Sequence, residues 1–502
     1  MTIYNINLGI GWASSGVEYA QAYRAQLLRQ IGQPAKFIFT DMILADNIEH
    51  LTKNIGFEDQ EIIWLYSHFT DIAISPTTYT LDQLLAGIDG EPIRTERDGK
   101  IARFFYEREF YLTCYLRNAT EDFVEHVEYV SRGQLIRKDF FSSTRYCTEY
   151  FVPKDGLPWM SQRRFYNQDG STAYDMVMNG NTNEALYRFA NRICYSKQDL
   201  LAYFLETLNL TKDDIVILDR ETGIGQTVFE NTAPAKLGVV VHAEHFSENG
   251  TDEDYIFWNN FYDYQFTNAD QVDFFIVATD GQKELLAQQL KDYNGLEPKI
   301  FTIPVGSLTE LKQAQEPRKG YSLITASRLA TEKHIDWLIK AVAKVHQELP
   351  EITFDIYGSG GEEEKLRKLI EEEQAQDYIK LKGHADLTDI YRRYDLYLTA
   401  STSEGFGLTL MEALGSGLPL IGFDVRYGNQ TFIREGENGY LLPLPNQRIE
   451  EEIATAYAEK ICLIYKEQNL ERLRQGAYER GAAFLTARVE EAWDHLIQEV
   501  LA

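Results

Sequence analysis

Positive charge is scarce in this 502-residue chain. Lys and Arg number 49 against 77 Asp and Glu, a formal net charge of −28. A surface that acidic repels phosphate backbones and anionic lipid, which argues against nucleic acid as the main partner. A phosphate ligand must find a local basic site against the average field. Cysteine is scarce as well: Cys114, Cys147, Cys194 and Cys462, with no C-x-x-C spacing, suggest neither a zinc ribbon nor a redox motif. No run of about 18 uninterrupted apolar residues is present, which predicts no membrane-spanning helix. The opening MTIYNINLGIGW has neither a basic start nor a long apolar run, which predicts no signal peptide. A reducing, cytoplasmic location is expected, with peripheral contact at the inner face of the cell membrane left open.

What is present describes a large globular protein. The length suggests about three domains, and 44% hydrophobic with 25% charged residues is ordinary. TIYNINLGI reads as a strand, a glycine-punctuated loop follows, VEYAQAYRAQLLRQIG reads as a helix, and AKFIFT as a second strand. That is the start of a doubly wound sheet. The texture then changes. Runs such as ARFFYEREFYLTCYL and FVEHVEYV alternate between Asp98-Gly99, Asp155-Gly156, Asp169-Gly170 and Asn179-Gly180, the pattern of antiparallel hairpins. Their aromatics suit one sheet face on a core and the other on a partner. Buried parallel strands resume with IVILDR, GVVVHA and DFFIVAT, and the pattern repeats from YSLITASR onward. The expected organisation is a first α/β domain of residues 1–60 and 201–303, split by an antiparallel insertion over 61–200. A second α/β domain covers 304–482 and a C-terminal helix 483–502.

The strongest chemical signal follows the strand DLYLTA: Glu404-Gly405-Phe406-Gly407-Leu408-Thr409, with Glu412 eight residues after Glu404. Glycines admit close backbone approach, and a helix from about Leu408 aims free N–H groups at a ligand. With this spacing one carboxylate can face a sugar ring while the other binds vicinal ribose hydroxyls. The alternative is a surface loop with two solvated glutamates. The second signal is Arg328 and Lys333, a fork and a point charge around a turn, suited to clamping a diphosphate; a solvated surface pair is the alternative. The third is Val241-His242-Ala243-Glu244-His245, where His242 ends a strand and is read as a substrate contact or a satisfied structural histidine. Weaker signals are the loop from Asn7 to Gly16, Val17, Glu18 and Tyr19, the turn Tyr357-Gly358-Ser359-Gly360-Gly361, and His384-Ala385 at another strand end. Asp252-Glu253-Asp254 matches a metal-binding D-x-D, but SENGT precedes it instead of an apolar strand, so it reads as a solvated loop. No metal is expected. Arg328, Lys333 and helix N-termini must then stabilise a diphosphate leaving group.

Glu404 to Glu412, with Arg328, Lys333 and GENGYLL at 436–442, resembles the retaining nucleotide-sugar glycosyltransferases of family 4. Their fold is GT-B, two Rossmann-like domains facing a cleft. The hairpin insertion resembles the extended β-sheet domain of the GtfA subunits of accessory-Sec glycosylation systems. The resemblance implies transfer of N-acetylglucosamine from UDP-GlcNAc to Ser or Thr of serine-rich repeat adhesins, with a GtfB-like partner. By motif match, Gly16 to Tyr19 and His384-Ala385 would contact UDP, and Arg328 and Lys333 the diphosphate. Glu412 would hold the ribose, while His242 and Glu404 to Gly407 would surround the sugar. His334 stands where the wider family usually has Gly or Gln. Teichoic-acid GlcNAc transferases share the architecture and the insertion but act on a polyol-phosphate polymer. An inactive glycan-binding or chaperone subunit is the other alternative, against which the intact Glu404, Glu412, Arg328 and Lys333 speak.

Overall fold

A computed structural model describes residues 1–12, 15–182, 184–467 and 469–502. The chain divides into two compact units, residues 1–240 with 258–273 and 501, and residues 241–257 with 274–500 and 502.

The first unit contains two sheets. In the parallel one, Ile3–Asn7 lies between Ile215–Leu218 and Ala35–Phe39, with Lys236–Val241 outside the former and Ile62–Trp64 outside the latter. Its central strands are near-continuous apolar runs because helices cover both faces. The strand Ile62–Trp64 corrects the insertion boundary at 61. It pairs in parallel with Ala35–Phe39 and belongs to this sheet. Three residues are too few to show a period.

The second sheet is a ten-stranded antiparallel meander, from Arg94–Asp98 at one edge to Ile193–Cys194 at the other. Its turns follow the residues that tolerate left-handed backbone. Asp155 and Gly156, at φ 52° and 77°, join the strands Arg145–Lys154 and Leu157–Tyr166. Alternation decides the faces: Ala102, Phe104 and Tyr106 point inward with Leu112, Cys114 and Val127. Many of the aromatics are core. Tyr66, Phe165 and Tyr174 stack face to face, with centroids 6.0 and 4.6 Å apart.

The second unit holds the parallel pair Phe274–Val277 and Lys299–Thr302 and a six-stranded sheet. The order of the latter is Ile379–Gly383, Thr353–Tyr357, Ser322–Ala326, Leu396–Leu398, Leu420–Phe423, Gly439–Leu442. The helices Ile335–Glu348 and Glu450–Lys466 contribute Leu338, Val342, Tyr457 and Ile461 to one core cluster. The helix Leu408–Gly415 contributes Leu410, Met411 and Leu414 to another. Among the described residues, no helix is long and apolar enough to cross a membrane.

Candidate active site

In the second unit, Ser322–Ala326 and Leu396–Leu398 are adjacent parallel strands. The loops after their carboxyl ends are where open α/β sheets bind ligands. After Ala326 the chain passes through a short turn, Thr331–Lys333, into the helix Ile335–Glu348. His334 between them is left-handed at φ 44°, a conformation uncommon without glycine. Its ring stacks on Trp337, with centroids 3.6 Å apart. The turn aims Lys333 inward. Its Nζ donates to Glu404 Oε2 at 2.6 Å, with the two side chains only 17% and 20% exposed. Arg328 goes elsewhere: it is 73% exposed and bonds Glu332 at 2.7 Å. The cationic pair read from the sequence is thus divided between an inward lysine and a surface arginine.

Glu404 is held by its backbone. Its N–H donates to Arg426 O at 3.2 Å, and its carbonyl accepts from the N–H groups of Tyr427 and Gly428 at 2.7 and 2.8 Å. A Cβ on Gly428 would lie 2.0 Å from Phe406 O, so only glycine lets this segment close on the loop. Gly407, at φ 92°, turns the chain into the helix Leu408–Gly415. Phe406 directs its ring into the core, 5.0 Å from Phe432, and Leu408 packs there too. From Gly405 to Thr409 the loop therefore offers a ligand mainly backbone, including the first N–H groups of the helix.

Tyr397 joins the two strand ends. Its buried hydroxyl lies 2.8 Å from Ala326 O and 3.0 Å from Thr409 Oγ1. Glu412, one turn into the helix, accepts a hydrogen bond from Tyr391 at 3.1 Å. Burial raises its carboxyl above the ordinary glutamate range, and the Tyr391 bond opposes that rise.

His242 follows the strand Lys236–Val241 and is half-buried. Its carbonyl lies 3.5 Å from where a Cβ on Gly405 would stand, beside the Glu404 loop. The rest of its segment is tied to the same place. Tyr427 donates to Glu244 at 2.7 Å, and Arg426 pairs with Glu248 at 2.6 Å. His245 is fully buried between Gln289, 2.7 Å away, and the Tyr427 hydroxyl, 3.3 Å away. Burial pushes its imidazole down to about 4.

The weaker signals land variously. His384 is exposed and Ala385 half-buried, after the edge strand Ile379–Gly383. The turn at Gly358 and Gly360 is a packing device: Cβ atoms there would lie 1.9 Å from Ser327 O and 2.3 Å from Leu329 O. It braces the segment leading to Lys333. In the first unit, Gly16 opens the helix Gly16–Gln30, while residues 13 and 14 of its loop lie outside the described residues. Glu18 is committed to capping: it accepts from Ser15 N–H at 2.6 Å and from Asn7 at 3.3 Å, and pairs with Arg220 at 3.4 Å. Gly16 and Tyr19 remain exposed and Val17 half-buried. Asp252 to Asp254 form an exposed turn, in which Asp252 accepts from the N–H groups of Asp254 and Tyr255. Sequence reasoning missed Tyr391, Tyr397 and Tyr427. Tyr397 alone carried a signal, a hydroxyl inside an otherwise apolar buried strand.

Residues 94–191 match the family described as the GtfA extended beta-sheet domain, and residues 308–480 the family described as glycosyl transferases group 1. The chain is 65% identical over 501 residues to the UDP-N-acetylglucosamine–peptide N-acetylglucosaminyltransferase GtfA subunit of Streptococcus gordonii, covering 100% of this chain and 99% of that one. It superposes on a chain of a crystal structure of a GtfA/B complex with a TM-score of 0.98 at 65% identity, covering all of both chains. It also superposes on a pneumococcal O-GlcNAc transferase GtfA in complex with UDP and GlcNAc. There the TM-score is 0.90 at 60% identity, covering 100% of this chain and 99% of that one. The fold is therefore GT-B with an inserted antiparallel sheet. A poly(ribitol-phosphate) alpha-N-acetylglucosaminyltransferase of Staphylococcus aureus is only 26% identical, over 64% of this chain and 61% of that one.

Proposed function

The chain belongs to the GtfA-subunit family of UDP-N-acetylglucosamine–peptide N-acetylglucosaminyltransferases, and from that premise we propose that it transfers N-acetylglucosamine from UDP-GlcNAc to Ser and Thr hydroxyls of a serine-rich repeat protein. It does so in the cytoplasm, together with a GtfB-like subunit. The observation that carries this reading is the Lys333–Glu404 pair beside the N-terminus of the helix Leu408–Gly415.

When the glycosidic bond breaks, negative charge builds on the UDP β-phosphate. Lys333 and the first N–H groups of Leu408–Gly415 offset that charge, and preorganised donors of this kind supply much of the rate enhancement in such sites. A bound diphosphate also draws Arg328 from Glu332, since an exposed ion pair holds its arginine weakly. Lys333, turning to phosphate, releases Glu404 to accept from sugar hydroxyls. Glu412 takes the ribose diol, and His242 faces the sugar from the segment beside Gly405. His384 and Ala385 contact the remainder of UDP. The acceptor hydroxyl attacks from the face the diphosphate leaves and passes its proton to the departing β-phosphate oxygen, so the α-configuration is retained. The reading requires no metal, because cationic side chains and helix N–H groups neutralise the leaving group.

The test is intact mass of a Ser/Thr-rich peptide after incubation with this chain and each of several UDP-sugars, with and without a GtfB-like subunit. Addition of N-acetylhexosamine from UDP-GlcNAc is expected. Transfer only to a polyol-phosphate polymer would overturn the acceptor, and failure to bind UDP would overturn the enzyme.

A further inference from the structure

A second basic pocket lies in the same unit and takes no part in the chemistry above. It has a volume of about 600 Å3 and sits between the segment from Arg434 to Glu437 and the helix Leu470–Gly481. Backbone packs on backbone along one wall. A Cβ on Gly476 would lie 2.2 Å from Glu437 O, and Gly436 turns the loop at φ 72°.

Arg434, Arg472 and Arg480 line this pocket. In a chain with 77 acidic residues against 49 basic ones, a guanidinium readily finds a carboxylate, and nearby Arg474 bonds both Asp395 and Glu471. The pocket differs. Among the described residues, Arg472 and Arg480 form no ion pair, and Arg434 reaches Glu437 only at 3.8 Å. The other lining carboxylate, Glu479, accepts from Gln475 at 2.9 Å. Arg480 is fixed in place: its Nε and Nη2 donate to Thr431 O, which leaves Nη1 for another acceptor. Burial and the charge of Arg434 push the Arg480 guanidinium down from its usual range, with Asp280 acting against them. Like charges held together on a rigid wall are relieved by an anion, and a planar fork suits the paired oxygens of phosphate.

We propose that the pocket of Arg434, Arg472 and Arg480 is a phosphate-binding site, separate from the nucleotide-sugar site. The phosphate comes either from a small solute or from a phospholipid headgroup.

The test uses the full chain with saturating UDP, so that Lys333 and its neighbours do not respond. Inorganic phosphate is titrated calorimetrically into the wild type, Arg472→Ser and Arg434→Ser. Both substituted side chains are exposed, so the fold tolerates the changes. Losing one charge-assisted hydrogen bond should weaken phosphate about tenfold or more, with UDP affinity unchanged. Cosedimentation with phosphatidylglycerol vesicles, against pure phosphatidylcholine vesicles, separates the two sources. Binding to the anionic vesicles that is lost in both variants assigns the headgroup. Phosphate binding without vesicle binding assigns a soluble phosphate. Phosphate heats that are absent, or equal in wild type and both variants, would overturn the proposal.

Discussion

Lys333 Nζ lies 2.6 Å from Glu404 Oε2, although 71 positions separate the two residues in the chain. Each stands in the loop after one of two adjacent parallel strands, and strand pairing brings them together. The pair is mostly buried, and on the proposed reading its members engage the nucleotide-sugar.

Breaking this pair from one side leaves the other charge poorly solvated. Lys333→Met and Glu404→Gln are each expected to cost about 2 kcal/mol, less than a fully buried pair because both groups keep some exposure. The double variant should lose less than the sum of the two. Urea unfolding of all four forms checks this, and additive costs would show that the two groups do not interact.

Tyr427→Phe removes the hydroxyl that bonds Glu244 but keeps the ring and the backbone bond to Glu404. The segment bearing His242 then loses one tether. Turnover should fall several-fold while far-UV circular dichroism stays the same; one hydrogen bond to a charged acceptor, worth about 1.5–3 kcal/mol, allows that scale. Wild-type turnover in Tyr427→Phe would detach this tyrosine from the site.

Glu412 titrates above the ordinary glutamate range because of burial. On the proposed reading its ionised form accepts ribose hydroxyls, so UDP affinity should weaken as pH falls through that raised value. Glu412→Gln should lose this component of the pH profile, leaving the titration of UDP itself. The stability effect has the opposite direction. A raised folded pKa gives stability that is full below the unfolded value and lost as pH rises through the folded one. Glu412→Gln should therefore be neutral or stabilising at pH 7 by thermal unfolding.

His245 behaves in the reverse sense. Its imidazole is depressed to about 4 from the ordinary 6.5, so its contribution is full above about 6.5 and is lost as pH falls toward 4. Stability measured across that window should drop by roughly 3 kcal/mol through this group. A variant with Asn at this position should show a shallower slope.

The chemistry of the second unit was more legible than its geometry. Strand, glycine loop and helix around Glu404 were readable because period and glycine placement are local. Hairpins such as the one at Asp155-Gly156 were readable because left-handed turns demand particular residues. Long-range relations were not. Nothing local distinguishes Lys333, which turns inward to Glu404, from Arg328, which stays outside with Glu332. Glu18 resembles a ligand contact in sequence but is consumed as a helix cap. Gly358 and Gly360 suit a ligand loop or a packing turn equally in sequence, and the close approach of Ser327 O and Leu329 O favours packing. Tyr427 gave no signal because its partners lie more than 180 residues away.

The most direct measurement is the rate of N-acetylhexosamine addition to a Ser/Thr-rich peptide from UDP-GlcNAc. It compares the wild type with Lys333→Ala, each with a GtfB-like subunit present. Loss of one preorganised cation at the leaving group should slow transfer about 100-fold or more, with folding intact by circular dichroism. Undiminished transfer by folded Lys333→Ala would contradict the account.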